Sequence, residues 1–172
     1  MSFEDHVRAA LDELPPNLAS ALTNVAVIVE DENPEDPDLL GLYHGVVSHI
    51  TLERRFSPAL PPVRLDVEQI RRVVINLIDN AIEAMADTPG TITIETQHDA
   101  GNAVARLIIA DNGPGVPPAE REKLFMPYYS TKGRGSGLGL AIVRRIVAEH
   151  GGSIEVGDNA PHGSRFVIEL PC

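Results

Sequence analysis

The chain has 172 residues, 43% of them apolar but only 4% aromatic and none Trp, so it can build one domain around an aliphatic core. Its net charge of −11 argues against a nucleic-acid surface, and a single Cys, at position 172, excludes a disulfide framework and a Cys-based zinc site. No apolar run is long enough to cross a bilayer and the N-terminus is acidic rather than basic, which with the cysteine usage fits a reducing, cytoplasmic location. The charge is uneven: residues 1–45 hold ten of the 25 acids and one of the 14 Lys and Arg. So sharp a change divides the chain into an acidic segment, 1–47, and a second unit, 48–172.

Ser2 can cap a helix running to about Leu14, with Phe3, Val7, Ala10, Leu11 and Leu14 as its apolar stripe. Pro15 and Pro16 stop it, and a short second turn can follow to Leu22. Residues 24–30 read as a strand, 31–38 as an acidic loop with two prolines, and 39–44 as a strand or the start of a helix. Residues 51–56 are strand-like and 57–62 form an extended connection.

Asp66 with Gln69 makes a capping box for a long helix ending at Met85. Ile70, Val73, Val74, Leu77, Ile78, Ala81, Ala84 and Met85 share its broad apolar face, and Asn76 and Asn80 stand one turn apart on the flank with Glu83 beside them. Asn is a poor residue for a helix interior. Two of them bordering a core face are either solvent-facing polar groups or amide oxygens offered to a metal ion.

Pro89-Gly90 turns the chain into two runs, 91–97 and 103–110, joined by Asp99-Ala-Gly-Asn102 as an antiparallel hairpin whose second strand is buried. That strand ends in Asp111-Asn-Gly-Pro-Gly115, either a tight turn or a recessed carboxylate beside backbone that can approach a flat ligand. Residues 118–124 read as a short helix, and residues 125–132 as a long loop running into glycines at 133, 135, 137 and 139. Leu140, Ile142, Val143, Ile146 and Val147 then mark one face of a helix, with Arg144 and Arg145 opposite. A glycine loop entering a helix N-terminus lets an anion reach unpaired N–H groups; its bland alternative is a flexible joint. Residues 153–156 and 164–170 supply two further strands.

Residues 1–45, through N-V-A-V-I-V-E-D-E and D-L-L-G-L-Y-H-G, resemble the N-terminal half of the small bacterial minimal-zincin metallopeptidase-like family. That family's zinc chemistry needs an H-E-x-x-H helix, and no such motif is present among the six scattered His. The resemblance implies ancestry of a segment without peptidase activity.

N-L-I-D-N-A at 76–81, D-N-G-P-G at 111–115, F-M-P-Y-Y-S-T-K at 125–132, G-S-G-L-G-L at 135–140 and G-S-R-F at 163–166 follow one another in order. They resemble the N, G1, F, G2 and final glycine boxes of the GHKL ATP-binding superfamily, and most of all the catalytic domain of bacterial sensor histidine kinases of the nitrogen-regulation type. The resemblance implies an α+β fold: a two-layer α/β sandwich with a mixed, mostly antiparallel sheet and helices on one face, here with an added N-terminal helix and one or two strands. Asn80 would hold Mg²⁺ with Asn76 supporting it, and Asp111 would accept the adenine amino group while Gly113 and Gly115 line the base pocket. Phe125, Tyr128, Tyr129, Ser130 and Thr131 would belong to a lid, Lys132 would contact phosphate, and Gly135, Gly137, Leu138 and Gly139 would bring backbone to the triphosphate of ATP or ADP.

The Y-Y-S-T-K lid separates the chain from the anti-sigma serine kinases of the same fold. GHKL ATPases that hydrolyse ATP with their own base carry a glutamate where Asn76 stands, and an amide cannot take a proton from water. The family role is γ-phosphoryl transfer to a His on a separate helical dimerisation domain, then to a response regulator. An acidic segment stands in place of that helical domain, so the expectation is a kinase-derived module that is not autonomously active. Together the two resemblances imply a chimera, by natural fusion or by engineering. The competing expectation is a folded hybrid with weak or no nucleotide binding.

Overall fold

The computed structural model describes residues 3–12, 50–58, 60–85, 88–130 and 137–172. The expectations for Ser2 as a cap and for residues 13–49 lie outside these residues, as do Thr131, Lys132 and Gly135. Among the described residues, ten elements follow in order. Helix α1 (Phe3–Asp12) precedes strand β1 (Ile50–Arg55), helix α2 (Val67–Met85), β2 (Gly90–Asp99) and β3 (Val104–Asp111). Two 3-10 turns (Pro118–Glu120 and Lys123–Phe125), helix α3 (Gly139–Glu149), β4 (Ser153–Asp158) and β5 (Ser164–Pro171) complete the chain.

The five strands lie in the order β1-β2-β3-β5-β4. Among the described strands only β1 and β2 run parallel, and α2 is the crossover their parallel pairing requires. The other pairs are antiparallel, with Ile92 opposite Asp111, Ala110 opposite Arg165, and Val156 opposite Phe166. Strand alternation turns Ile92, Ile94, Ala105, Leu107, Ile109, Phe166, Ile168 and Leu170 to one face, where they share a core with Ile70, Val73, Val74, Leu77, Ile78, Ala81 and Met85 of α2. Val143, Ile146 and Val147 of α3 complete that layer, and Val7 and Ala10 of α1 bury into the same cluster. The result is the mixed two-layer α+β architecture.

Asp66 caps α2 as expected, its Oδ1 accepting the Gln69 N–H at 3.1 Å. The reciprocal half of the capping box does not form, because the Gln69 amide turns to the Asp66 carboxylate at 3.4 Å. The Asp66 N–H donates instead to Nε2 of His150 at 2.9 Å, while Nδ1 of that ring donates to the Ile146 carbonyl at 2.8 Å. The residue that ends α3 thus holds the start of α2. Residues 118–124, expected to be a helix, form two 3-10 turns: Met126, extended at φ −78° and ψ 136° ahead of Pro127, stops the second one.

Candidate functional site

One cavity of about 590 Å³ opens between α2, the loop after β3 and the start of α3. Helix α2 contributes Asn76, Asp79, Asn80, Glu83 and Ala84, because the turn that buries Leu77 and Ala81 aims its flank at the cavity. Asp111, Gly115 and Val116 come from the end of β3, Tyr129 and Ser130 from the following loop, and Gly137, Gly139 and Leu140 from the entry to α3. Ser164 and Phe166 of β5 form the floor.

The two asparagines are held by their own helix. Asn76 Nδ2 donates to the Arg72 carbonyl at 2.7 Å and Asn80 Nδ2 to the Asn76 carbonyl at 2.8 Å, so each amide nitrogen is committed and each amide oxygen is turned from that bond. Gly139 is glycine for a reason of space: a Cβ there would stand 2.8 Å from Asn76 Oδ1. Gly137, at φ +64°, packs on the Tyr128–Tyr129 peptide, and its carbonyl accepts the Tyr128 N–H at 2.9 Å.

Asp111 is 3% exposed. Its Oδ1 accepts the Gly113 N–H at 2.9 Å and the Ser164 N–H at 3.3 Å, which fixes the carboxylate at the cavity wall. Helix α3 begins at Gly139 with Leu138 as its N-cap and no side-chain cap among the described residues, and its first residues, with the positive end of its dipole, border the cavity. The described lining carries four carboxylates, Asp79, Glu83, Asp111 and Glu120, and no Lys or Arg. An anion entering among the described residues therefore needs the helix end and a cation to offset that charge.

Four sequence candidates sit elsewhere. Gly113 orients Asp111 from behind, and Leu138 caps α3. Phe125 is buried, with the Arg144 guanidinium 5.7 Å from its ring centre, and Tyr128 is 79% exposed. The cavity also recruits Asp79, Leu140, Ser164 and Phe166, which lay within the quoted motifs but were not singled out as site residues, and Leu124, which lay in none of them.

The family described as histidine kinase-, DNA gyrase B- and HSP90-like ATPase (HATPase_c) matches residues 65–172. The sensory histidine kinase/phosphatase NtrB of Azospirillum brasilense is 33% identical over 175 residues, covering 88% of this chain and 43% of that protein. NtrB of Vibrio alginolyticus is 32% identical over 186 residues, covering 97% of this chain and 49% of that one. The chain thus spans less than half the length of these relatives. Among solved structures, the catalytic domain of histidine kinase ThkA superposes with a TM-score of 0.73 at 26% identity, over 99% of this chain and 93% of that one. The mycobacterial sensor histidine kinase MprB gives a TM-score of 0.71 at 26% identity, over 99% and 95%. Alignments that reach 97% of the chain run into its first 47 residues, and they give no support to a metallopeptidase-like half or to a chimera. With its mixed sheet, its helical layer and its match over residues 65–172, the chain belongs to the histidine kinase-, DNA gyrase B- and HSP90-like ATPase family, and its domain is a histidine kinase-like ATPase domain of the kind found in two-component sensor kinases.

Proposed function

We propose that the cavity binds ATP or ADP with Mg²⁺ and presents the γ-phosphoryl group to a His on a helical phosphoacceptor domain. The observation that carries this reading is the convergence of Asn80, Asp111 and the uncapped start of α3 on one cavity. Asp111, buried and oriented by two backbone N–H groups, suits an exocyclic amino group, which only donates. The α3 N-terminus suits phosphate oxygens.

Mg²⁺ takes oxygen ligands and keeps several waters, and the Asn80 amide oxygen is a donor of that kind. When bound, the ion would offset phosphate charge beside Asp79 and Glu83. Asn76 cannot act as a base, so the reading gives slow hydrolysis and transfer to an external acceptor. In that transfer the bond from the γ-phosphorus to the bridging oxygen breaks, a phosphorus–nitrogen bond forms, and ADP leaves.

Relatives support the partners. ShkA has been solved in complex with AMPPNP, and ThkA with the response regulator TrrA. For this chain we infer an ATP-supplied, cytoplasmic setting, a helical phosphoacceptor domain and a response regulator. Residues 48–172 would be the nucleotide-binding unit, with residues 1–47 an acidic segment whose helix α1 docks on α2.

Thermal unfolding with Mg·ADP tests the site. At one hundred times Kd a ligand stabilises by about 2.7 kcal/mol, so wild type should gain several degrees and Asn80→Ala and Asp111→Asn should gain little. Equal gains in all three proteins would refute the assignment of these residues.

A further inference from the structure

The sequence motifs account for Asp111 but not for what keeps it aimed. Backbone pairing of β3 with β5 stops at Ala110 opposite Arg165, one residue short of the carboxylate. Beyond that point side chains replace the ladder. Asn159, in the turn between β4 and β5, donates from Nδ2 to the Asp111 carbonyl at 2.9 Å. His162 of the same turn donates from Nδ1 to the Asn112 carbonyl at 2.8 Å. The turn is itself closed by the Asn159 N–H on the Gly163 carbonyl at 3.0 Å.

A second tie reaches the same loop from its far end. Arg121 donates from Nη2 to Asp158 at 2.5 Å and from Nε to the Val116 carbonyl at 3.3 Å. Val116 lines the cavity, and neither Asn159 nor Arg121 does. Gly115 and Gly163 sit backbone to backbone between the two ties; a Cβ at Gly115, where φ is +79°, would crowd the Gly163 carbonyl oxygen at 3.1 Å.

We infer that Asn159 and Arg121 are positioning residues for base recognition: they clamp the loop of residues 111–116 to the β4–β5 turn and so fix the Asp111 carboxylate against an adenine-type amino donor. This inference rests on the nucleotide-binding reading. A carboxylate rewards an exocyclic amino group only at hydrogen-bond distance and angle, so a loosened peptide at Asp111 costs selectivity before it costs phosphate binding. A guanine ring offers a carbonyl at that edge and gains nothing from the clamp.

The test uses Asn159→Ala and Arg121→Ala, each titrated calorimetrically with Mg·ADP and Mg·GDP, together with amide hydrogen exchange at Gly113 and Ser164. The expected result is an affinity for Mg·ADP about 5-fold weaker in Asn159→Ala, about the worth of one hydrogen bond. Mg·GDP affinity should be unchanged, so the preference narrows, and exchange should quicken at both amides. Arg121→Ala should shift in the same direction. Equal loss for both nucleotides would mark a general structural role and overturn the inference. So would unchanged exchange at Gly113 and Ser164 in both variants, or wild-type Mg·ADP affinity in both. If wild type itself binds no Mg·ADP while exchange quickens in the variants, the nucleotide reading fails and the role in base recognition falls with it.

Discussion

Gly163 is where the β4–β5 turn meets the end of β3 most closely, and Gly163→Ala is the sharpest perturbation of that contact. Its φ of +116° is open to glycine and strained for any L side chain. A Cβ there would overlap the Asp111 carbonyl oxygen and stand 2.7 Å from the Asp111 carbonyl carbon and 2.8 Å from Asn112 Cα. All three are backbone atoms in a strand terminus held on its other side by Thr91, so the turn must retreat. The dihedral strain costs about 1–3 kcal/mol. Retreat also weakens the Ser164 N–H bond to the buried Asp111 carboxylate, worth about 1.5–3 kcal/mol at full strength and less at 3.3 Å. The total is roughly 2–5 kcal/mol, a large share of a domain stability of about 5–15 kcal/mol. With a urea slope of about 2 kcal/mol per molar, the unfolding midpoint should fall by about 1–2.5 M. Gly157→Ala is the control, since a Cβ there meets nothing within 4 Å and its backbone needs no positive φ. Urea titration followed by circular dichroism reads both. A Gly163→Ala midpoint equal to that of Gly157→Ala would refute the reasoning.

Three further outcomes follow from the same geometry. His150→Ala removes the acceptor of the Asp66 N–H and should lower stability by about 1 kcal/mol, or about 2–4 °C, with nucleotide affinity unchanged; no shift in the melting curve contradicts the tie between α2 and α3. Gly139→Ala must displace the Asn76 amide from 2.8 Å, so it should weaken Mg·ADP binding by tenfold or so while helix propensity, worth up to about 1 kcal/mol, keeps the fold near wild-type stability; intact binding by calorimetry contradicts that crowding. Asp99 is held below the usual carboxylate range, first by the Asn102 side chain, then by the Asn102 N–H, and also by Arg106 and the Gly101 N–H. A lowered folded value means stability present above the unfolded value of about 3.9 and lost as pH falls through the folded one, so Asn102→Ala should flatten the acid limb of a urea-midpoint profile below about pH 4. Identical acid limbs contradict it.

What was legible in the sequence was local or periodic. The apolar stripe of α2, its Asp66 cap, the β2–β3 hairpin and the face of α3 each follow from spacing within one element, and all are present. Pairing across the chain was not legible. Nothing in residues 50–55 announces a parallel partner at 90–95, and nothing near 164 announces that β5 inserts between β3 and β4. The same limit hid the His150–Asp66 bond, which joins residues 84 apart, and the Asn159–Asp111 bond, which joins residues 48 apart. Only half of the capping box forms, because the Asp66 N–H is taken by His150 and the Gln69 amide bonds the Asp66 carboxylate instead.

For the candidate site, glycine and asparagine carried the signal because each breaks a local rule at an identifiable place. Asn76 and Asn80 sit inside a helix, and Gly137 and Gly139 open one. Asp79 and Phe166 lay inside quoted motifs and Leu124 in none, but all three obey their local rules and reach the cavity only through the tertiary fold, so nothing in their spacing marked them as lining residues.

The most direct measurement is a crystal structure of the chain with Mg²⁺ and a non-hydrolysable ATP analogue. The account predicts the adenine amino group within hydrogen-bond distance of the Asp111 carboxylate, the Asn80 amide oxygen toward the metal, and phosphate oxygens at the N–H groups that begin α3. A nucleotide bound away from the cavity framed by Asn80, Asp111 and Gly139, or adenine turned from Asp111, would contradict it.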